Sequence, residues 1–510
     1  MLRNYIIIAL RNLSRQKGYA VINITGLAIG LATCMLIMLY IVHELSYDKF
    51  FNEHEQVYRI AVRATISGDH LDVAVSSNPM GGKMVEEFPE VLLSSRILPN
   101  SQTVFFTIDD RSFYNEGLYY VDSTFLDIFS YNMIMGDARS ALREPNSIVL
   151  SRSLANRYFG DSNPLGRTIR MNDRNNLTVS GIIEDPPLNS HFDFNCLVSY
   201  ITLLNERNII HDDWGSLSIY TYLKIEKNAD PAVLMNKFGD FISRNMSEIE
   251  ESGNIVFEPY LQPLSSIHLH SNLMAEISPN SDIGYIYTFG AIAFFALIIA
   301  CINFMNLATA RSAGRAREVG MRKVCGAYRR QIILQFIGES MLLALLAMLL
   351  ALIFVELALP LFNSLTGLEL GFATMFTPVM IFGLLVLLIF VGLFAGAYPA
   401  FYLSSFRPIA VIKGTLTFRG KAKPHLRNTL VVFQFAISII LIISTGIVFL
   451  QMKYLQEKSL GFEKENVLII PLRSERLQEK TTMFDNEFSS LPGVQSVSFS
   501  TGIPGRSLNG

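Results

Sequence analysis

The sequence has few of the residues on which disulfide-stabilised and catalytic proteins depend. Its 510 residues include four cysteines, and only 17% are charged. The cysteines are widely separated, so they predict neither a disulfide framework nor a metal site: Cys34, Cys196, Cys301 and Cys325. No Gly-x-x-x-x-Gly-Lys-Ser/Thr run occurs, so this chain cannot bind ATP through a phosphate-binding loop. We therefore expect no cofactor in this chain.

The sequence also lacks a recognisable catalytic constellation. No Ser/His/Asp set or pair of carboxylates stands out, which predicts that the chain is not an enzyme. His268 and His270 alternate in a run that we interpret as a strand, which would place both on one face. Two ligands without a third do not predict a metal site. We interpret Asp212-Asp213-Trp214 as a turn with a packing tryptophan.

Long apolar runs dominate the remaining composition. Hydrophobic residues make up 50% of the chain, and five runs reach the roughly 20 residues that a helix needs to cross ~30 Å of hydrocarbon. The first is too long for the apolar region of a signal peptide, which is usually ~7–15 residues. We place the spans at Tyr19–Val42, Gly284–Ala310, Ile332–Leu359, Pro378–Leu403 and Thr429–Leu450.

Lysine and arginine orient these spans. Residues 1–18 contain four cations, residues 311–330 contain seven and residues 404–428 contain six, whereas Pro360–Thr377 contains none. Cations favour the cytoplasmic side of a membrane. This alternation predicts a multi-pass protein of the bacterial inner membrane with a cytoplasmic N-terminus.

The spans and their charges predict the organisation of the whole chain. We expect an interfacial helix at 1–18, spans at 19–42, 284–310, 331–360, 378–403 and 429–450, cytoplasmic segments at 311–330 and 404–428, a short outer loop at 361–377, an outer domain at 43–283 and the beginning of a second outer domain at 451–510.

The first 18 residues have two interpretations. Their aliphatic residues share one side of a helix and their arginines lie off it, which predicts an amphipathic helix in the cytoplasmic interface. The alternative is a simple extension of the first span, because cations flank most spans.

The outer segment 43–283 is long enough for one or two globular domains. Runs rich in β-branched and aromatic residues predict strands at Val57–Ala64, Gln102–Ile108, Gly117–Asp122, Ser147–Leu150, Leu177–Ile183, Phe194–Tyr200, Ile219–Ile225 and Ile255–Leu261. Helices are expected between them at Pro79–Phe88, Thr124–Phe129, Arg152–Phe159 and Pro231–Asn245. The fold class is thus a polytopic α-helical membrane protein with about five transmembrane helices and a large mixed α+β extracytoplasmic domain.

Part of the first half recurs after the fifth span. Leu10-Arg-Asn12 precedes the first span and Leu426-Arg-Asn428 the fifth. The run Val467-Leu-Ile-Ile470 lies in an expected strand, Val467–Leu472. It is followed by Leu491-Pro-Gly-Val494 and a strand-like Ser496–Ser500, which repeats the order seen after the first span. A half-built domain cannot bury a core, so we expect a second repeat that is cut short at Gly510.

Several motifs form a recognisable set: the basic run Arg317-Glu-Val-Gly-Met-Arg-Lys-Val-Cys-Gly-Ala327, the segments Ile302–Ser312 and Ala395–Pro408, and the turns Asn163-Pro-Leu-Gly166 and Pro187-Leu-Asn-Ser-His-Phe192. Together they resemble the MacB/FtsX-type permeases of ABC transporters, in their long two-repeat form. The resemblance implies a MacB-periplasmic-core-like outer domain. It covers nearly the whole chain.

The resemblance implies that residues 311–330 form a coupling loop for a separate ATP-binding subunit, which would hold the ATP and magnesium. The residues expected to couple with that partner are Arg317, Glu318, Gly320, Arg322, Lys323 and Gly326. Guanidinium and ammonium groups can pair with acidic partner residues, and glycine permits close backbone approach. The alternative is that these cations only set the topology.

Four polar or helix-bending residues within spans have structural interpretations. Asn303 and Asn306 lie at i and i+3, so they share a helix face and can bond to a neighbouring helix; substrate contact is the alternative. Glu339 is either a functional carboxylate or an interface anchor near the start of its span. Pro399 is expected to bend the fourth span passively.

Two functions agree with the resemblance. The first is the membrane subunit of an ABC-type exporter of an antimicrobial, a peptide or a lipoprotein. The alternative is an FtsX-like module that does not transport and instead activates cell-wall hydrolases. The implied partners are the ATP-binding subunit, the lipid bilayer, a periplasmic adaptor with an outer-membrane channel, and a second copy or repeat in a dimeric or pseudo-dimeric assembly. No feature indicates nucleic-acid binding.

Overall fold

The computed structural model describes residues 17–66, 68–109, 111–207, 213–253, 255–310, 319–404, 425–458, 466–472, 477 and 479–500. The chain divides into two compact units, a helical unit and a sheet unit. The helical unit comprises residues 1–43 and 284–465, and the sheet unit residues 44–283 and 466–510. The expected interfacial helix at 1–18 lies almost entirely outside the described residues.

Five apolar helices long enough to cross a membrane are present in the described part of the chain, which confirms this part of the prediction. They are α1 (Lys17–Leu45), α9 (Ile283–Ala310), α10 (Arg329–Thr366), α11 (Pro378–Ser404) and α12 (His425–Glu457). Each extends past the apolar run that predicts it, because helical hydrogen bonding continues into flanking polar residues. α10 continues through Pro360 for 38 residues.

The helical unit has its core between α1, α9, α10 and α11. Small residues allow close approach there: a Cβ atom built on Gly30 of α1 would lie 2.6 Å from the Cβ of Ala300 in α9. Residues of α12 are mostly exposed, among them Ile442 and Phe449 at 72% and 68%. In a membrane such a surface faces lipid or another helix.

The sheet unit is built on one 14-stranded sheet. Its strands are β1 (Val57–Ile66), β2 (Asp69–Val73), β3 (Ser76–Ser77), β4 (Val91–Pro99), β5 (Val104–Ile108), β6 (Arg111–Asn115), β7 (Leu118–Val121), β8 (Met133–Met135), β9 (Ser147–Ser151), β10 (Thr168–Met171), β11 (Asn175–Ile183), β12 (Cys196–Ser199), β13 (Leu217–Ile225) and β14 (Ile255–Pro263). The main order is β14-β1-β13-β4-β7-β12-β9-β11-β10-β5-β6, with β2, β3 and β8 paired at its sides.

Helices connect and cover these strands: α2 (Met80–Glu87), α3 (Phe125–Ile128), α4 (Arg152–Phe159), α5 (Tyr200–Arg207), α6 (Pro231–Met235), α7 (Phe238–Gly253) and α8 (Ile267–His270). The eight strands expected from Val57–Ala64 to Ile255–Leu261 are all present. The mixed α and β content of the expected fold class is therefore confirmed.

Three expectations in this unit were wrong. Pro231–Asn245 is not one helix but the short α6 followed by α7. Ile267–His270 is a helical turn rather than a strand. Residues 467–472 form no strand, and Val467 to Ile470 are 49–83% exposed, because no described neighbour pairs with their backbone; residues 496–500 form none either. The helix in this part is α13 (Thr481–Ser489).

The close contact between α1 and α9 makes a testable prediction. Gly30→Leu should destabilise the protein, because the new side chain overlaps Ala300 and overpacking costs about 1–3 kcal/mol. Gly446→Leu in α12 is the matched control, since nothing lies within 4 Å of a Cβ there. Thermal unfolding of the detergent-solubilised protein should show a lower melting temperature for the first variant only. Equal melting temperatures would contradict this packing.

Candidate functional site

The basic segment 311–330 is described from Val319 onwards. Residues 319–324 are helical and lead into a turn at Cys325 and Gly326. Gly326 has φ +94°, a backbone conformation that favours glycine, and no atom lies within 4 Å of a Cβ built on it. It therefore ends the helix, and its expected role in contacting the partner subunit stays a prediction.

The inner side of the basic segment is attached to two apolar helices. Val319 is 2% exposed and packs in a small cluster with Ile332 and Phe336 of α10 and Ala400 of α11. This cluster joins the segment to the first turns of α10 and the last turns of α11.

Two expected coupling cations bond within the chain. Arg322 donates to the side-chain oxygen of Gln335 in α10. The Nζ of Lys323 donates to the backbone oxygen of Ser404 at 2.7 Å, and Nε of Arg329 donates to the Ser404 hydroxyl at 3.3 Å. Ser404 is fully buried at the end of α11. Lys323 and Arg329 thus satisfy the carbonyl and hydroxyl oxygens of Ser404, in the way basic residues complement a helix C-terminus.

The outer side of the same segment is apolar and exposed. Met321 is 62% exposed, Val324 57% and Tyr328 76%. Cys325 is also exposed and is a free thiol. We call Met321, Val324, Cys325 and Tyr328 the exposed face. Apolar side chains at adjacent turns of a basic helix are suited to burial against a partner protein.

The remaining expected residues are scattered through the helical unit. Arg317 and Glu318 lie outside the described residues, and Gly320 is buried beside Val319. Asn303 is exposed, with its Nδ2 atom 3.7 Å from the position of a Cβ on Gly26 of α1, while Asn306 is half-buried. Glu339 is half-buried in α10, and Pro399 is buried inside α11, one residue before Ala400. Pro399 thus directly precedes the residue of α11 that packs with Val319.

A second cluster lies in the sheet unit, where the chain leaves α1. We call residues 44–51, 186–192 and 264–282 the junction. Asp48 is 1% exposed, and its Oδ1 atom lies 2.9 Å from Nδ1 of His191 and accepts from the His191 backbone N–H at 3.1 Å. The other ring nitrogen, Nε2, lies 2.7 Å from the hydroxyl of Tyr222 in β13. Burial raises the pKa of Tyr222 well above its ordinary value. The hydroxyl therefore stays protonated and can donate a hydrogen bond to Nε2 of His191.

His268 links the two ends of the segment 44–283 of the sheet unit. Its Nε2 atom lies 2.9 Å from Oε2 of Glu44, in the last turn of α1, and its ring stacks on Tyr47. Its backbone oxygen accepts from the N–H of Ser281, two residues before α9 begins. The residues next to the first and second spans are therefore held by one histidine.

A buried arginine completes the junction. Arg59 of β1 is 0% exposed and donates to Glu276 at 2.5 and 3.0 Å, to Gln262 at 2.6 Å and to Ser271 at 3.1 Å. Although burial alone would lower its pKa, the Glu276 carboxylate holds the pKa of Arg59 above its ordinary value. A buried charge with a bidentate partner fixes geometry strongly, because breaking it leaves the other charge unpaired.

The expected face shared by His268 and His270 does not exist. In the helical turn α8, His268 points into the junction and is buried, whereas His270 is exposed. Among the described residues no group of three or more potential ligands is arranged to hold a metal ion. Asp213 accepts from the backbone N–H groups of Gly215 and Ser216, and Trp214 packs on Phe241.

Sequence reasoning missed Glu44, Asp48, His191 and Arg59 as a group. A signal for two of them was present, since acidic residues directly follow the first apolar run. Their partners lie 143 to 224 positions away along the chain, and no local pattern indicates which distant histidine will meet which carboxylate.

Family models match most of the chain. The model of the MacB-like periplasmic core domain matches residues 20–241, and that of the FtsX-like permease C-terminal region matches residues 290–408. The chain belongs to the MacB/FtsX-like family of ABC permeases. It is accordingly a multi-pass protein of the inner membrane with a periplasmic core domain.

Similar proteins include two that are named macrolide export ATP-binding/permease protein MacB. The one from Chlorobium luteolum is 27% identical over 278 residues, which cover 54% of this chain and 39% of the relative. The one from Bdellovibrio bacteriovorus is 26% identical over 281 residues, which cover 52% and 38%. The permease chain thus spans about two fifths of the length of these relatives.

Two solved structures are also similar to parts of this permease. A domain of a permease protein from Porphyromonas gingivalis is 23% identical, covers 42% of this chain and 91% of that chain, and has a TM-score of 0.38. The periplasmic region of MacB from Actinobacillus actinomycetemcomitans is 15% identical, covers 39% and 87%, and has a TM-score of 0.29.

The junction of this permease makes a testable prediction. Tyr222→Phe removes the hydroxyl next to the buried His191 ring and should destabilise the protein by about 1–3 kcal/mol, the usual cost of an unsatisfied buried polar group. Tyr114→Phe on edge strand β6 is the control, because Tyr114 is 50% exposed; it should change stability by less than about 0.5 kcal/mol. Chemical denaturation followed by tryptophan fluorescence of Trp214 measures both. An unchanged midpoint for Tyr222→Phe would show that the hydroxyl does not support the junction.

Proposed function

We propose that this permease is the membrane-spanning subunit of an ABC-type export system whose separate ATP-binding subunit docks on the basic segment. ATP-driven closure of that subunit moves residues 319–324, and the movement passes to the apolar helices and then to the periplasmic domain. The exported substrate belongs to the antimicrobial, peptide or lipoprotein class. The relatives named macrolide export proteins support the first of these classes.

The observation that carries this proposal is that the two sides of the basic segment differ. Its inner side is bonded to α10 and α11 through Gln335 and Ser404, and its outer side presents Met321, Val324 and Tyr328 to solvent. A segment that only set the membrane topology would need its cations but not an exposed apolar face. The exposed face therefore favours docking of a partner, with the cations holding the segment to the helices that the partner moves.

The junction supplies the second step of the proposal. α1 is continuous with residue Glu44, and Glu44 is held by His268. Residues 48 and 191 are likewise bonded, so the chain that follows α1 is fixed within the sheet unit. In our proposal a movement of α1 reaches the sheet unit through Glu44 and Asp48.

Docking on the exposed face can be tested by placing a charge there. Val324→Asp should weaken co-purification with the ATP-binding subunit at least about tenfold, because a desolvated, unpaired carboxylate at the centre of an interface is costly. Leu92→Asp is the control, since Leu92 is 47% exposed but lies on β4 of the sheet unit. Pull-down from membranes and stimulation of ATP hydrolysis provide the measurements. Normal assembly of the Val324 variant would exclude this face as the docking surface.

The orientation of the membrane spans can be tested with the native thiol. Cys325 is exposed, whereas Cys196 and Cys301 are buried and Cys34 is half-buried. An impermeant maleimide should therefore label the wild-type protein in inside-out vesicles and leave it unlabelled in spheroplasts. Asn228→Cys, combined with Cys325→Ser, should show the opposite pattern. Labelling of Cys325 in spheroplasts would overturn the cytoplasmic placement of the basic segment.

A second candidate function remains an FtsX-like module that activates a cell-wall hydrolase without moving a substrate. The long sheet unit favours export, because division-type members of the family carry a much smaller periplasmic domain. Reconstitution with the ATP-binding subunit separates the two: export requires ATP-dependent movement of substrate across the liposome membrane, whereas the alternative requires only activation of the hydrolase.

A further inference from the structure

The loop 186–191 is fastened to the end of the first span. The backbone N–H of Asp48 donates to the oxygen of Asn189 at 2.9 Å. The Asn189 side chain in turn donates to the backbone oxygen and the hydroxyl of Ser46, at 3.1 and 2.9 Å. Ser46 is the first residue after α1. The loop therefore lies against the chain within three residues of the helix end.

The other end of this loop is also fixed. The carboxylate of Asp185 accepts from the backbone N–H and the hydroxyl of Ser153, at 3.0 and 2.8 Å. Although partial burial alone would raise it, these bonds lower the pKa of Asp185. Pro186 and Pro187 restrict the backbone that follows. Leu188 is thus presented on a short loop whose conformation is already ordered.

The membrane position of the loop follows from the length of the first span. The apolar stretch Ala20–Leu45 has 26 residues, which corresponds to about 39 Å of helix. A bilayer has a hydrocarbon core of about 30 Å and measures about 40–45 Å with its headgroups. The end of α1 therefore lies in the headgroup layer, and the loop bonded to Ser46 and Asp48 lies beside it.

The side chains exposed at this level are suited to that layer. Leu188 is 57% exposed, Leu45 40% and Phe50 38%, and Lys49 is exposed between the last two. Aliphatic and aromatic groups bury in the boundary between headgroups and acyl chains. A lysine beside them can reach anionic phosphates. Exposed apolar residues that are scattered singly would need no explanation, but these belong to two segments bonded to each other.

We propose that Leu45, Phe50 and Leu188 form a lipid-contacting surface in the leaflet where α1 ends. The partner is the phospholipid headgroup layer of the membrane that α1 crosses. Such contact would bury three apolar side chains that are otherwise exposed. It depends neither on the ATP-binding subunit nor on the identity of the substrate.

The test measures the depth of Leu188 in lipid. Leu188→Cys and Phe50→Cys, each in a Cys325→Ser background, are labelled with an environment-sensitive fluorophore and reconstituted into phosphatidylethanolamine and phosphatidylglycerol vesicles. Lipids that carry a spin-label quencher near the headgroup end of an acyl chain should reduce both signals about twofold or more, as expected for side chains in the headgroup boundary.

Val256→Cys is the matched control for this measurement. Val256 is 49% exposed and pairs with Thr65 of β1. Thr65 lies six residues from Arg59, which corresponds to about 20 Å along the strand. Its fluorophore should be unquenched. If the labels at positions 50 and 188 are quenched no more than the label at 256, the lipid-contacting surface does not exist.

Discussion

The need to give two buried carboxylates a partner is the constraint on which this part of the sheet unit depends. Glu44 lies in the last turn of α1 and Asp48 follows that helix, and burial of either without a partner would be prohibitively costly. His268 and His191 supply those partners. The requirement to satisfy these groups fixes the path of the chain where it enters the sheet unit.

The cations of the basic segment agree with the expected membrane topology and also bond to the neighbouring helices. These cations agree with a cytoplasmic position under the positive-inside rule. In the structure Lys323 and Arg329 also bond to Ser404, and Arg322 bonds to Gln335. In our proposal the ATP-binding subunit contacts the exposed apolar residues of this segment, Met321, Val324 and Tyr328. The expected role of the cations in contacting that subunit stays a prediction.

Much of the fold was predictable because its signals are local. Apolar runs predicted all five spans, and β-branched runs predicted eight strands of the sheet. Strand β4 was not predicted because its middle residues are polar: Ser94, Ser95 and Arg96. Arg96 is stabilised there by Asp122 and by the ring of Tyr200, partners that are distant in sequence. The strand expected at 467–472 is absent, although its residues are suited to a strand, because no described neighbour pairs with it.

The sequence by itself determined the membrane spans, the strand-forming runs, the basic segments and the family. Each of these depends on hydrophobicity, charge or motif order within a short stretch. Only the tertiary structure decided which side of the basic segment is exposed, that His268 bonds to Glu44 while His270 does not join it, and that the loop carrying Leu188 meets the end of α1. These features depend on contacts between residues far apart in the chain, and chain folding alone determines which distant polar groups become partners.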